Sequence, residues 1–428
     1  MRARTAGALS AAFALIMGCA SYSPPKSVDT PGYLVRIESK SDGNVRASAV
    51  VLSAEESERA FGTGLAQKGI QPIWLEIENR GDQEFILMLN SIDPGYFSPS
   101  EAAWISRSFG ESGTEEKILY FLEQQISPVI APNSTARGFV YTHLDPGGKA
   151  FGATLVGDRD VRRFEFVQEV PGLKMDWMHV DFANLYPPGE IRDLDLDALR
   201  AYLETLPCCV LGGDRETPGD PLNVVVLGKG LHMLAVFVRQ GWDMTETATR
   251  GSVWRTIKSS VFGMKYRTSP VSPLYVYGRR QDVALQKARG TVDQRNHMRL
   301  WLAPVTFEGR EIWVGQISRD IGVKLSSKTV VTHRVDPIID ESRFSLLMDT
   351  AASQSLERIG FVKGVGLSTP ASPRRNYTLD PYYTDGLRLV VFLSRDSVSL
   401  DQIGWVKWEI PPEPDHSMTW SPPNDSPN

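Results

Sequence analysis

"LNVVVLGKGLHMLAVFVRQG", residues 222–241, changes its period in the middle. Val224 to Leu227 is an unbroken apolar run of strand length, as expected of a strand buried on both faces. After Lys229 the apolar residues recur at helical spacing, and Gly241 stands where a helix stop belongs. A strand feeding a helix through a short turn predicts a layered sheet with helices on its face. Helix-terminal amides attract anions, so "LGKGLHM" admits a phosphate-cradle reading. Without the rest of a phosphate-loop pattern it reads more simply as a tight turn.

Downstream, "LYVYG" (274–278), "HMRLWLAPV" (297–305), "IWVGQIS" (312–318), "TVVTHRV" (329–335) and "LRLVVFLS" (387–394) read as further strands. Between the last two, a helix is predicted over 340–359. Asp336 is its N-cap, Pro337 its first residue and Asp340 a second capping candidate. Phe344, Leu347, Met348, Ala351, Ala352, Leu356 and Ile359 form its stripe, and Gly360 its stop.

Upstream, residues 33–190 read as short strands: "YLVRIES", "VRASAVVLS", "PIWLEIENRGDQEFILML" and "ARGFVYTHLDPGGKAFGATLVG". The last two look like hairpins about Arg80-Gly81-Asp82 and Asp145-Pro146-Gly147. An adhesion reading of Arg80-Gly81-Asp82 is unnecessary, because a hairpin turn itself calls for Gly-Asp. An immunoglobulin-like β-sandwich follows, with a helical insertion. "SPSEAAWI" opens that insertion, with Ser98 as N-cap, Pro99 at the first position and Glu101 closing a capping box; "EEKILYFLEQQ" is its second helix.

"RDLDLDALRAYLETL" (192–206) is an amphipathic helix, followed by the Pro-, Cys- and Gly-rich "PCCVLGGDRETPGDP". The expected fold class is α+β multidomain: a sandwich over 33–190, a linker helix and boundary loop over 191–218, and a mixed α/β layered-sheet domain over 219–410. Residues 411–428 read as a disordered tail.

The N-terminus carries an address. Arg2 and Arg4 precede the apolar "AGALSAAFALIMG", which is too short to span a bilayer. Its end, "LIMGCAS", resembles the lipobox of bacterial lipoproteins. The resemblance implies that residues 1–18 are a signal peptide, that Cys19 is lipidated, and, with Ala20 following, that the protein sits on the periplasmic face of the outer membrane. Residues 19–32 then form a tether. The membrane is thus a partner through the lipid. Export away from the genome argues against nucleic acid.

Cys208 and Cys209 are adjacent. They can pair with each other, stay reduced, or pair with another chain; no C-x-x-C redox motif surrounds them.

Charge is uneven. Residues 1–219 carry 20 Lys/Arg against 30 Asp/Glu, residues 220–345 carry 19 against 11, and residues 346–428 carry 7 against 10. The basic middle either docks on an acidic part of the chain, meets an anionic partner, or is a solvated face.

The same segment holds the candidate polar site. Alternation puts His297, Arg299 and Trp301 on one strand face and Met298, Leu300 and Leu302 on the other. Arg319, Asp320, His333 and Asp336 fall near strand ends, where α/β sheets gather ligand-contacting groups, with Arg279, Arg280 and Asp282 nearby. His297 and His333 with a carboxylate suit a divalent metal, although their spacing carries no ligand motif. The arginines suit a phosphate or carboxylate clamp. Buried salt bridges fixing the arginines to the acids are the third reading. The sequence leaves the cofactor unknown, with His297 and His333 as weak metal candidates.

"SPVSPLYVYGRRQDVALQ", "RNHMRLWLAP", "IWVGQISRDIGV" and "THRVDPIIDESR" resemble successive signatures of the domain at the C-terminus of LssY secretion-associated proteins, over roughly residues 219–345 and towards 365. The resemblance implies an envelope-linked domain with no assigned activity, so it transfers no catalytic residue. Two functions follow: a lipid-anchored accessory module that binds an envelope protein or an anionic ligand, or a metal-dependent or phosphate-directed hydrolase using the His297/His333/Asp336/arginine edge.

Overall fold

The computed structural model describes residues 21–26, 32–145, 147–170, 176–245, 271–288, 295–326 and 330–413. The leader, Cys19 and most of the tail lie outside the described residues.

The first body comprises β1 (Glu38–Asp42), β2 (Val45–Val51), α1 (Ala54–Phe61), β3 (Ile70–Asn79), β4 (Phe85–Met88) and α2 (Leu89–Ile92). There follow α3 (Pro99–Ile105), α4 (Thr114–Gln124), β5 (Val129–Ile130), β6 (Ser134–His143), β7 (Gly148–Val156) and β8 (Val161–Glu169). Two four-stranded antiparallel sheets, β1-β2-β3-β6 and β5-β4-β7-β8, share one apolar cluster. Period-two alternation supplies it: Ile73, Leu75 and Ile77 come from one sheet, Phe151, Leu155 and Phe166 from the other. The capping box at α3 forms as expected, with Glu101 N donating to Ser98 Oγ and Ser98 N to Glu101 Oε2.

Both expected hairpins are corrected. β3 pairs with β2 and β6, whereas β4 pairs with β5 and β7, so the turn at Arg80-Gly81-Asp82 carries the chain from one sheet to the other. The connection from β6 to β7 does the same. Gly and Asp serve any sharp reversal and do not say whether the returning strand lies beside or across. "YLVRIES" begins as a 3-10 helix, Gly32–Arg36. Part of the expected tether is docked: Tyr22 is buried, its hydroxyl donating to Phe61 O at 2.9 Å.

The second body begins with β9 (Arg192–Leu194), α5 (Leu196–Thr205), β10 (Cys209–Leu211), β11 (Pro218–Pro221), β12 (Val224–Leu227), α6 (Gly230–Arg239) and β13 (Asp243–Met244). It continues through β14 (Tyr275–Val276), β15 (Arg279–Arg280), β16 (Val283–Ala288), β17 (Arg295–Phe307), β18 (Arg310–Ser326), β19 (Val330–Val335) and α7 (Asp340–Ala352). It closes with β20 (Leu356–Lys363), β21 (Arg374–Arg375), β22 (Pro381–Tyr382), β23 (Leu387–Leu393) and β24 (Gly404–Val406).

A ten-stranded mixed sheet runs β13-β16-β17-β18-β12-β23-β20-β24, with β9 added to β17 and β19 to β18. Helices α6 and α7 share an apolar cluster with one face; α5 packs on the other. The chain as a whole is therefore mixed α+β and strand-rich.

The stretch 191–218 is part of this body rather than a linker: β9 joins the large sheet, α5 buries Leu199 and Leu203, and β10 pairs with β11 and β14. Cys208 and Cys209 are disulfide-bonded to each other. The predicted helix 340–359 is also shorter. It ends at Ala352, Gln354 takes a positive φ of 56°, and Leu356 and Ile359 belong to β20. A short apolar run with a charge or two fits either period, and pairing along β23 settles it.

The two bodies touch along α6. Ala150 of β7 joins the α6 cluster, and His232 of α6 bonds to the Glu165 carboxylate of β8 through Nδ1 and to Ser394 O through Nε2 at 2.9 Å.

Candidate functional site

The strands β16, β17 and β18 stack their alternate residues in rungs. Gln286, His297 and Ser318 face one another across three strands, and Arg299 sits opposite Gln316 on the next rung. Period-two alternation puts Arg295, His297, Arg299, Gln316, Ser318 and Asp320 on one face, and all of them are buried. Towards one end that face is apolar, with Trp301 and Val314 packed against α5; towards the other it is a polar layer.

The layer is internally bonded. Arg295 Nε donates to Asp320 Oδ2 at 3.2 Å, and its other arm to Gln286 Oε1. His297 Nε2 lies 3.4 Å from Asp320 Oδ1. Arg299 donates to Gln316 Oε1 at 2.9 Å and to Ser272 O at 3.0 Å. The Gln316 amide donates to Ser318 Oγ and to Asp220 Oδ2, and Asn376 Nδ2 donates to Asp220 Oδ1 at 2.8 Å. Burial pushes the Asp220 carboxyl upward. The Asn223 amide extends the neighbouring ladder, accepting from Ile317 N and donating to Ile317 O.

Ser318, His297 and Asp320 adjoin one another without forming a nucleophilic relay. Ser318 Oγ lies 3.2 Å from His297 Nδ1 and 3.4 Å from Nε2, while Asp320 also approaches Nε2. A relay needs the serine and the acid on opposite ring nitrogens, and a nucleophile that substrate can reach. Ser318 is fully buried.

The other expected residues are dispersed. Arg319 projects to the opposite face, where Nε donates to Asn296 Oδ1 and Asn296 in turn reaches Ser345 of α7. Arg279 forms a two-pronged pair with Asp282, both contacts at 2.8 Å, and also donates to Tyr186 and Leu302 O. Arg280 donates to the His179 ring at 2.7 Å.

Asp336 caps no helix, because Tyr383 N takes Pro337 O and ties residues 337–339 to a neighbouring segment. Its carboxylate accepts from Ile338 N instead, and α7 starts at Asp340. Asp340 binds Thr384 and Asp385 N and lies beside Arg343, which is clamped to Asp385. His333 pairs in register with Val323, five residues along β18 from the Ser318 rung, a backbone offset of roughly 16 Å. Its side chain lies outside the described residues. Among the described residues no group of three or more His, Cys, Asp or Glu is arranged to hold a metal.

The phosphate-cradle turn is filled from within. Gly230 N, at the start of α6, donates to Glu311 Oε2 at 2.8 Å, so a carboxylate of this chain takes the anion position. Among the described residues, three cations of the basic middle segment are likewise turned inward: Lys287 pairs with Asp349, Arg310 with Glu357 and Arg343 with Asp385. These acids lie in the C-terminal acidic stretch, so part of the charge asymmetry is used within the second body.

Arg388 escapes sequence reading, standing in what looks like a fully apolar strand. It is buried, and its guanidinium donates to the carbonyls of Leu203, Leu206, Pro207, Leu222, Lys363 and Gly364. Burial, with no carboxylate partner among the described residues, pulls its pKa down to about 10. It binds the end of α5 and the turn before Cys208 to β23.

A cleft of about 340 Å³ opens between the two bodies, where Asp93, His143, Asp145 and Lys149 face Val238 and Asp243. Asp93 accepts from His143 N at 2.7 Å and from Nδ1 at 3.0 Å. Burial opposes ionisation there, but the His143 ring, the Lys149 charge and the His143 amide together hold the carboxyl well below the usual range.

No curated protein matches this chain. The match to a known family starts before the expected likeness and ends beyond it: residues 201–387, the core of the second body, match the family model described as LssY C-terminus.

Proposed function

We propose that this protein is a lipid-anchored accessory module of the bacterial cell envelope, an immunoglobulin-like sandwich joined to an LssY C-terminal domain, that binds an envelope partner and turns over no substrate. The observation that carries this is the polar layer. His297, Arg299 and Asp320, the residues best suited to chemistry, are bonded to one another or to neighbouring amides and hydroxyls inside the sheet. Lys287, Arg310 and Arg343 of the basic segment pair with acids of their own domain, which favours a protein partner over an anionic small molecule at those cations. The open cleft lies between the two bodies, where a partner can touch both.

Cell fractionation of the wild type and Cys19→Ser tests the anchor: the wild type follows the membrane and the variant is released. Metal analysis and a phosphatase panel on the purified protein, with His297→Ala and His333→Ala, test the chemistry. Stoichiometric metal, or turnover lost in either variant with the fold intact, would replace this reading with the hydrolase.

A further inference from the structure

The first described residues are fixed to the sandwich at its helical insertion. Ser21 forms a bridge with Ser112, Tyr22 N donates to Ser112 O at 3.0 Å, and the Tyr22 ring is only 7% exposed, beneath the Lys117 ammonium. Ser21 is bridged to Ser112 of the loop joining α3 to α4, and two residues of chain span at most about 7 Å, so a lipid on Cys19 would start no farther than that from Ser21.

That loop and its helices present apolar side chains to the outside. Phe109 is 95% exposed, Trp104 on α3 is 56%, and Leu119 and Leu122, one turn apart on α4, are 58% and 45%. The Arg107 guanidinium lies over the Trp104 ring, 3.2 Å from its centroid, with Nε donating to Trp104 O. An aromatic ring with an arginine beside it suits the water–lipid boundary, where the ring sits at headgroup depth and the cation reaches the polar layer. The flanking exposed charges on α4, Glu115, Glu116 and Glu123, are acidic, so attraction to anionic lipid is not what this surface offers.

We propose that this face, centred on Trp104 and Phe109, rests on the bilayer and fixes the orientation of the sandwich against it. The occupant is the membrane because the chain brings it near: a lipid on Cys19 starts within about 7 Å of Ser21, which is bridged to Ser112 beside this face. A lipid attached at one point leaves orientation free, and apolar contact beside it sets which side of the sandwich faces the bilayer. The inference rests on the lipid-anchored reading above.

The test uses the full chain, expressed with its leader and reconstituted in zwitterionic phosphatidylcholine vesicles with brominated acyl chains. Mass spectrometry of the N-terminal fragment is run on the same sample. With Cys19 acylated, bromine quenches part of the tryptophan emission. That part is lost in Trp104→Phe, reduced in Phe109→Ser and unchanged by high salt. An acylated chain with no quenching, or with quenching equal in Trp104→Phe, overturns the surface and leaves the anchor standing. A bare Cys19 overturns both.

Discussion

Arg388 of β23 reaches the carbonyl of Leu203, at the last turn of α5, at 2.9 Å across the interior of the second body. Five more carbonyls converge on the same guanidinium, so a cation replaces backbone pairing where α5, the cysteine turn and the β20 end meet. Arg388→Met leaves those oxygens dry, and each buried unpaired acceptor costs about 1–3 kcal/mol. The variant is expected to lose at least about 3 kcal/mol in urea unfolding. A loss under 1 kcal/mol would show that water enters the site freely.

The Arg295–Asp320 pair sets a second expectation. Asp320→Asn leaves Arg295 without its buried carboxylate, a change that costs about 3–5 kcal/mol. Destabilisation with unaltered partner binding in the folded fraction identifies the polar layer as framework. A stable variant that no longer binds would place a ligand there instead.

At the start of α6, Glu311→Gln keeps an acceptor for Gly230 N and removes the charge that complements the helix end. The expected cost is about 0.5–1 kcal/mol, growing as salt is lowered. Inorganic phosphate is expected to leave the thermal midpoint of the wild type unchanged, because the carboxylate occupies its place. A phosphate-dependent rise would reopen the cradle reading.

The contact between the two bodies depends on pH through Glu165. Burial raises this carboxyl, but the His232 hydrogen bond and charge outweigh it, so the folded pKa lies below the ordinary 4.5. A depressed acid contributes stability above its unfolded pKa and loses it as pH falls through the folded one. The difference between the wild type and Glu165→Gln is thus expected to stay constant from neutral pH down to about 5 and to shrink below about 4. A difference that grows on acidification would reverse the sign.

Periodicity alone determined a good deal of this protein. The buried run Val224–Leu227, the α6 stripe with Gly241 after it, the capping box of Ser98 and Glu101, and the division of β17 into a His297/Arg299/Trp301 face and a Met298/Leu300 face are all local consequences of side-chain spacing. Four ordered motifs were enough to bring out the resemblance to the LssY C-terminus, which the family model matches over residues 201–387. What spacing does not encode is which partner a segment meets. The turns at Gly81 and Gly147 reverse the chain in either case, and only packing of two sheets made them crossings rather than hairpins. Asp336 is a good cap in isolation, yet Tyr383 claims the adjacent carbonyl and delays the helix. Arg319 and Asp320 are neighbours in sequence and opposites in space, because successive strand residues point to opposite faces. Arg388 looks misplaced in an apolar strand until the carbonyls of three distant segments surround it. Long-range pairing decided each of these, since a buried charge or backbone group takes whatever partner the tertiary fold brings within about 3 Å.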